Sequence, residues 1–135
     1  MKRMVSVLML AVLVSVAGSG QDKKAGEESL TLKGYVVDQM CAKGMAKKAN
    51  PMEKAAGHTK ECALEEACAA SGYGIFSNGK WLKFDAAGDK LAKQAIEKSK
   101  REKGLMFEVT GTRDGDALAV TGLKETSPDK KTDMK

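Results

Sequence analysis

The sequence predicts a small, mainly β domain with two helices, whose five strands form an OB-like barrel in the order β-α-β-β-α-β-β. Three observations carry this. An alternating stretch rich in β-formers lies near the start of the domain, at 30–40. Two tight-turn dipeptides, Asn78-Gly79 and Asp114-Gly115, each join alternating segments. One amphipathic helical segment lies between those two hairpins. Five short strands with a helix between the third and fourth is the element order of an OB-type barrel. A generic open α+β sheet competes with it, because element order does not fix strand pairing.

The first strand is Leu30 to Met40, LTLKGYVVDQM, with Gly34 marking a bulge or bend. From Cys41 to His58 the chain reads as a long loop, punctuated by Gly44, Asn50-Pro51 and Gly57. Four lysines keep it solvated, and parts of it have helical composition. Thr59 to Ser71 reads as one short helix, with Thr59 at its N-cap and Gly72 after its end. Its apolar face is Leu64, Ala67, Cys68 and Ser71. Tyr73 to Ser77 and Lys80 to Asp85 form the first hairpin, across a type I′ turn. The second helix starts at Asp85 or Asp89 and runs to about Glu102, with a stripe of Leu91, Ala92, Ala95, Ile96 and Ser99. Leu105 to Arg113 and Asp116 to Glu125 complete the second hairpin.

The domain so defined spans 30–125. Before it, Met1-Lys2-Arg3 and the apolar run Met4 to Ala17 have the layout of a secretory signal peptide, assigned to 1–20. The run is shorter than the roughly 20 residues of a membrane-spanning helix. No Cys follows it as a lipid attachment point. Residues 21–29 read as a flexible leader and 126–135 as a disordered tail, both being polar and aperiodic. The expected location is therefore periplasmic or secreted, with no membrane span in the mature chain. Loss of Lys2 and Arg3 leaves 21 basic against 18 acidic residues, a net charge of +3. So mild an excess does not point to a nucleic-acid partner.

Chemistry concentrates in one segment. All three cysteines, Cys41, Cys62 and Cys68, and the single histidine, His58, lie between 41 and 68. Two readings compete. An exported domain meets an oxidising compartment, which favours a disulfide among the cysteines. In one continuous helix Cys62 and Cys68 would stand about 9 Å apart along the axis and point away from each other. Cys41 is then one partner, with Cys68 or Cys62 the other. The second reading is a soft metal site built from Cys41, His58, Cys62 and Cys68, suited to copper or zinc. His58 and Cys62, four apart, share a helical face if the helix extends back that far. Met40, Met45 and Met52 lie nearby, as thioether donors or as packing.

Other residues carry less. Asp38 reads as a cap for the backbone that follows. The lysines of the second helix read as a solvated face, and Tyr73 and Trp81 as packing rather than a stacking platform. There is no Ser-His-Asp set, no CxxC, no phosphate loop and no pair of carboxylates on a shared face, so no catalytic constellation is legible.

In these motifs the chain resembles a family of small exported bacterial proteins of unknown function. Their pattern is a signal peptide followed by G-x-V-x-D-x-x-C, here Gly34 to Cys41. A variable loop, a Cys-bearing helix ending in Gly, a hairpin and a closing V-T-G-T hairpin follow. These correspond here to His58 with Cys62 and Cys68, Gly72 to Phe84, and Val109-Thr110-Gly111-Thr112 with Asp116 to Leu123. The resemblance implies an OB-like exported domain and lends no activity. The expected function is a non-enzymatic binding domain, stabilised by a cysteine bond, for a protein or small ligand outside the cytoplasm. The alternative is a periplasmic soft-metal protein.

Overall fold

A computed structural model describes residues 28–128. The expected signal peptide, residues 21–27 of the expected leader and residues 129–135 of the expected tail lie outside these residues. The described chain is mainly β, with five strands and five helices. The strands are β1 (Ser29–Asp38), β2 (Tyr73–Ser77), β3 (Lys80–Phe84), β4 (Met106–Asp114) and β5 (Ala117–Glu125). Between β1 and β2 lie four short helices, α1 (Gln39–Met45), α2 (Pro51–Ala56), α3 (Lys60–Leu64) and α4 (Glu66–Ala70). Between β3 and β4 lies α5 (Ala86–Lys98).

The strands form one mixed sheet. β1 pairs antiparallel with β4 over its first part and with β2 over its last part. β2 pairs with β3, β3 runs parallel to β5, and β5 pairs with β4, so the sheet closes on itself. β1 changes partner at Tyr35, opposite both Met106 and Phe76. Gly34 stands just before the change. A Cβ there would lie 1.9 Å from the Phe76 carbonyl oxygen, so the strands meet only because this residue has no side chain. The ladder runs unbroken through Gly34, and the register shift falls instead between Thr110 and Gly111.

Both hairpins have two-residue loops. Asn78 and Gly79 both have positive φ, 51° and 78°, as a type I′ turn requires. The second loop is one residue later than expected. Asp114 pairs with Ala117, so the loop is Gly115-Asp116, with Gly115 at φ 58° in the first central position, as in a II′ turn.

Strand alternation builds two cores. Val36, Ile75, Phe84, Phe107, Val109 and Leu118 join Ala92 and Ile96 of α5 in the main cluster. Val37 and Phe76, on the opposite face, pack with Ala42 of α1 and Ala55 of α2. Tyr73 is in the main cluster and Trp81 lies against the second, so both pack as the sequence suggests. Ala92 and Ile96 of α5, and Ser99 just after it, are buried as expected, while Leu91 is exposed. That helix ends earlier than Glu102: Ser99 turns extended at ψ 140°.

The largest departure lies between 41 and 71. The expected loop holds α1 and α2, and the expected single helix is two. Glu65, at φ −56° and ψ 138°, ends α3 and begins α4. No Gly or Pro marks the break. It rests on a tertiary contact: the Tyr73 hydroxyl donates to the Ala63 carbonyl at 2.7 Å, satisfying an acceptor that the break frees. Ala67 is turned outward and Ala63 takes the buried position.

Candidate functional site

β1 ends on a buried aspartate. Asp38 itself has an extended backbone, and its carboxylate Oδ1 accepts the Cys41 amide at 2.8 Å, capping α1. This is the capping role that its position before Cys41 suggests. Cys41 thereby projects from the first turn of a helix whose start is fixed. Opposite, Thr59 caps α3 by accepting the Cys62 amide on Oγ1 at 3.2 Å. Lys60 fastens that helix to the end of α5, its Nζ donating to the carbonyls of Glu97 and Ser99. Cys68 follows on α4, after the break at Glu65.

The break decides what the cysteines can do. It removes the constraint that kept Cys62 and Cys68 apart in a continuous helix. Donor atoms of Asp38, Cys41, Cys62 and Cys68 all lie within 4.8 Å of one another. Cys41 Sγ is 3.6 Å from Cys62 Sγ, and all three thiols are free. Cys68 is buried, and Cys41 and Cys62 are half-buried. Ser71 ties the ends of this arrangement together. Its Oγ accepts the Met40 amide at 3.1 Å and donates to the Cys68 carbonyl at 2.6 Å. The Gln39 amide also donates to the Gly72 carbonyl at 2.8 Å, so the start of α1 is tied to the end of α4.

His58 stands behind the cluster, not in it. Its Nε2 is 3.0 Å from Asp38 Oδ2, in a pair whose side chains are 4% and 0% exposed. The approach is close, but the ring N–H is not aligned for a directed hydrogen bond. His58 Nδ1, likewise buried, has no hydrogen-bond partner among the described residues. Of the four residues the sequence nominated as metal ligands, three sulfurs converge. The fourth donor position is held by Asp38, with the imidazole one shell further out. Met45 and Met52 pack against the second core, and Met40 is 52% exposed.

The electrostatics are those of one buried carboxylate set beside three thiols. Burial pushes the Asp38 carboxyl up, but the contact with His58 and the Cys41 amide outweigh it and hold the group below its ordinary value. Burial, the neighbouring Cys62 thiol and the Asp38 charge push the Cys41 thiol well up. Burial and Asp38 do the same to Cys68. Burial, then Asp38, lifts the Tyr73 phenol to about 12. Thiols raised in this way are protonated at neutral pH, the opposite of an activated nucleophile. An ion that binds sulfur reverses the balance by displacing the protons.

Sequence reasoning passed over Ser71 and Tyr73 as organisers of the site. The signals were present only as a serine and a tyrosine on either side of a helix-ending glycine. No described helix is long and apolar enough to cross a membrane. No protein-family model, curated protein or solved structure matches the chain.

Proposed function

We propose that this chain is a non-enzymatic, exported binding protein that holds a thiophilic metal ion on Cys41, Cys62 and Cys68. The carrying observation is that the three sulfurs and the Asp38 carboxylate converge within 4.8 Å, from four separate points in the chain. Copper(I) and zinc both suit this donor set. Two thiolates on one tetrahedral zinc stand about 3.8 Å apart, near the Cys41–Cys62 separation of 3.6 Å. The frame is an OB-type barrel, supported by the closed strand order and by α5 between β3 and β4. The site then occupies the connection between the first two strands, where such barrels carry ligand contacts. Export is supported by the signal-peptide layout of residues 1–20.

Reduced full-length chain, titrated anaerobically with copper(I) or zinc and examined by native mass spectrometry, tests the reading. One bound ion per chain, lost in Cys68→Ser, is expected. Absence of any stoichiometric ion, with three titratable thiols, overturns it.

The Cys41–Cys62 approach favours a second reading, a disulfide between these two. It would stabilise the domain by about 3 kcal/mol in the loop-entropy model. A two-hydrogen deficit in protein recovered from the oxidising compartment, mapping to Cys41 and Cys62, would establish it.

A further inference from the structure

Coordination number and charge narrow what the cysteine cluster accepts, given the reading of it as an ion site. Each sulfur comes from a different short helix, α1, α3 or α4, and the three meet at one place. The fourth neighbour is engaged through one oxygen. Asp38 Oδ1 caps α1 through the Cys41 amide, while Oδ2 lies 3.0 Å from His58 Nε2 without a directed hydrogen bond. Drawing Asp38 onto an ion would pull on the cap that positions Cys41. The donors that can bind without disturbing that cap are the three sulfurs.

Their surroundings penalise residual charge. Cys68 is 5% exposed and Asp38 is fully buried. Three thiolates around a monovalent ion leave two net negative charges beside the Asp38 carboxylate. A divalent ion leaves one, and a trivalent centre leaves none. Unpaired buried charge costs several kcal/mol or more per unit, so charge separates these cases more strongly than donor softness does.

We propose that the site takes a trivalent thiophilic metalloid of the arsenite or antimonite class, held by Cys41, Cys62 and Cys68 as a three-coordinate tris-thiolate. The reaction balances without a redox partner. One neutral trihydroxide and three thiols give one tris-thiolate and three waters. Three S–H and three metalloid–oxygen bonds break, three metalloid–sulfur and three O–H bonds form, and the oxidation state is unchanged. The lone pair of the trivalent centre fills the remaining direction, so no fourth protein ligand is required.

Access is from the Cys62 side. An open groove of about 480 Å³ is lined by Thr59, Glu61, Cys62, Leu64 and Glu65. Glu61 and Glu65 are exposed and make its rim negative. A neutral trihydroxide passes such a rim, whereas an oxyanion such as arsenate is repelled.

The test uses reduced full-length chain and arsenite, read by native mass spectrometry and thiol titration. The expected product has one arsenic per chain, a loss of three hydrogens and no remaining titratable thiol. Equimolar zinc or copper(I) should fail to displace it, and arsenate should not bind. Cys62→Ser, at a half-buried position, should weaken arsenite by roughly 100-fold, because one tethered donor is lost from a tridentate set. Arsenite that consumes only two thiols overturns the proposal, as does displacement by either competing ion. If zinc or copper(I) binds stoichiometrically and arsenite does not, the metalloid assignment falls and the ion site stands. If nothing binds to three free thiols, both fall.

Discussion

The strand frame and the helical insertion at 39–70 are built on different terms. The frame buries large side chains: Phe84, Phe107, Ile75, Ile96 and Leu118 are each at most 1% exposed. The insertion's own fully buried residues are Ala42, Ala55 and Ala63, with Cys68 and His58 close behind. At about 25 cal/mol per Å² of apolar surface, alanines contribute little. Polar ties hold the insertion in shape instead: the Asp38 and Thr59 caps, Lys60 on the end of α5, and Ser71 bridging Met40 to Cys68. A region held by small residues and hydrogen bonds is one whose stability a bound ion can change substantially. The frame needs no such help.

The sharpest way to break this contrast is to damage the frame. Phe107→Ala removes a ring from the main cluster and should cost about 3–5 kcal/mol, measured by urea unfolding. The loss should be the same with and without bound ion after the binding contribution is subtracted. If the variant instead unfolds only the insertion, seen as hydrogen exchange confined to 39–70, the two regions do not differ as described.

Asp38 lies on the seam between the regions, and its substitution should rank next. Asp38→Asn keeps a cap acceptor for Cys41 but removes the charge opposite His58. A loss of about 1–3 kcal/mol is expected from unfolding curves at pH 7. The effect has a pH signature. The folded Asp38 carboxyl is held below its ordinary value, so the folded state binds its proton less readily than the unfolded chain. Its contribution to stability is complete above the unfolded value, near pH 4, and is lost as pH falls through the folded one. The difference between wild type and Asp38→Asn should therefore shrink progressively as pH falls below the ordinary carboxylate range. A difference that stays constant as pH falls would show that the carboxylate charge plays no part.

The same contrast governs what could be read from the sequence. Strand alternation, Asn78-Gly79 and the α5 stripe are local signals, and they located the frame with strand boundaries shifted by a residue or two and the end of α5 by about four. The second loop moved one position because both Asp114-Gly115 and Gly115-Asp116 satisfy a two-residue turn, and strand register selects between them. In the insertion, local signals misled. Cys62 to Cys68 is a run of good helix formers, and nothing within it announces the break at Glu65. The partner that satisfies the break, Tyr73, lies beyond the helix and on the next strand. Gathering the cysteines and histidine into one region was legible from their clustering. Which of them meet was not, because His58 and Asp38 exchange the roles that spacing alone suggests.

The smallest of these effects is the most specific to the site. Tyr73→Phe deletes one hydroxyl and keeps the ring in the main cluster. The Ala63 carbonyl then loses the donor that compensates it for leaving the helical ladder. A buried acceptor left unpaired costs about 1–3 kcal/mol. Straightening α3 into α4 would recover that cost by giving the carbonyl a helical amide. The straightened helix would carry Cys68 away from Cys62, since six residues of continuous helix separate their sulfurs. Tyr73→Phe should accordingly show a modest loss in urea unfolding together with a disproportionate loss of ion binding, read by the same titration as the wild type. A purely structural role would lower stability and leave the affinity of the folded protein unchanged. Disproportionate loss would show that the break at Glu65, set from outside the helix, is what makes three separated cysteines a site.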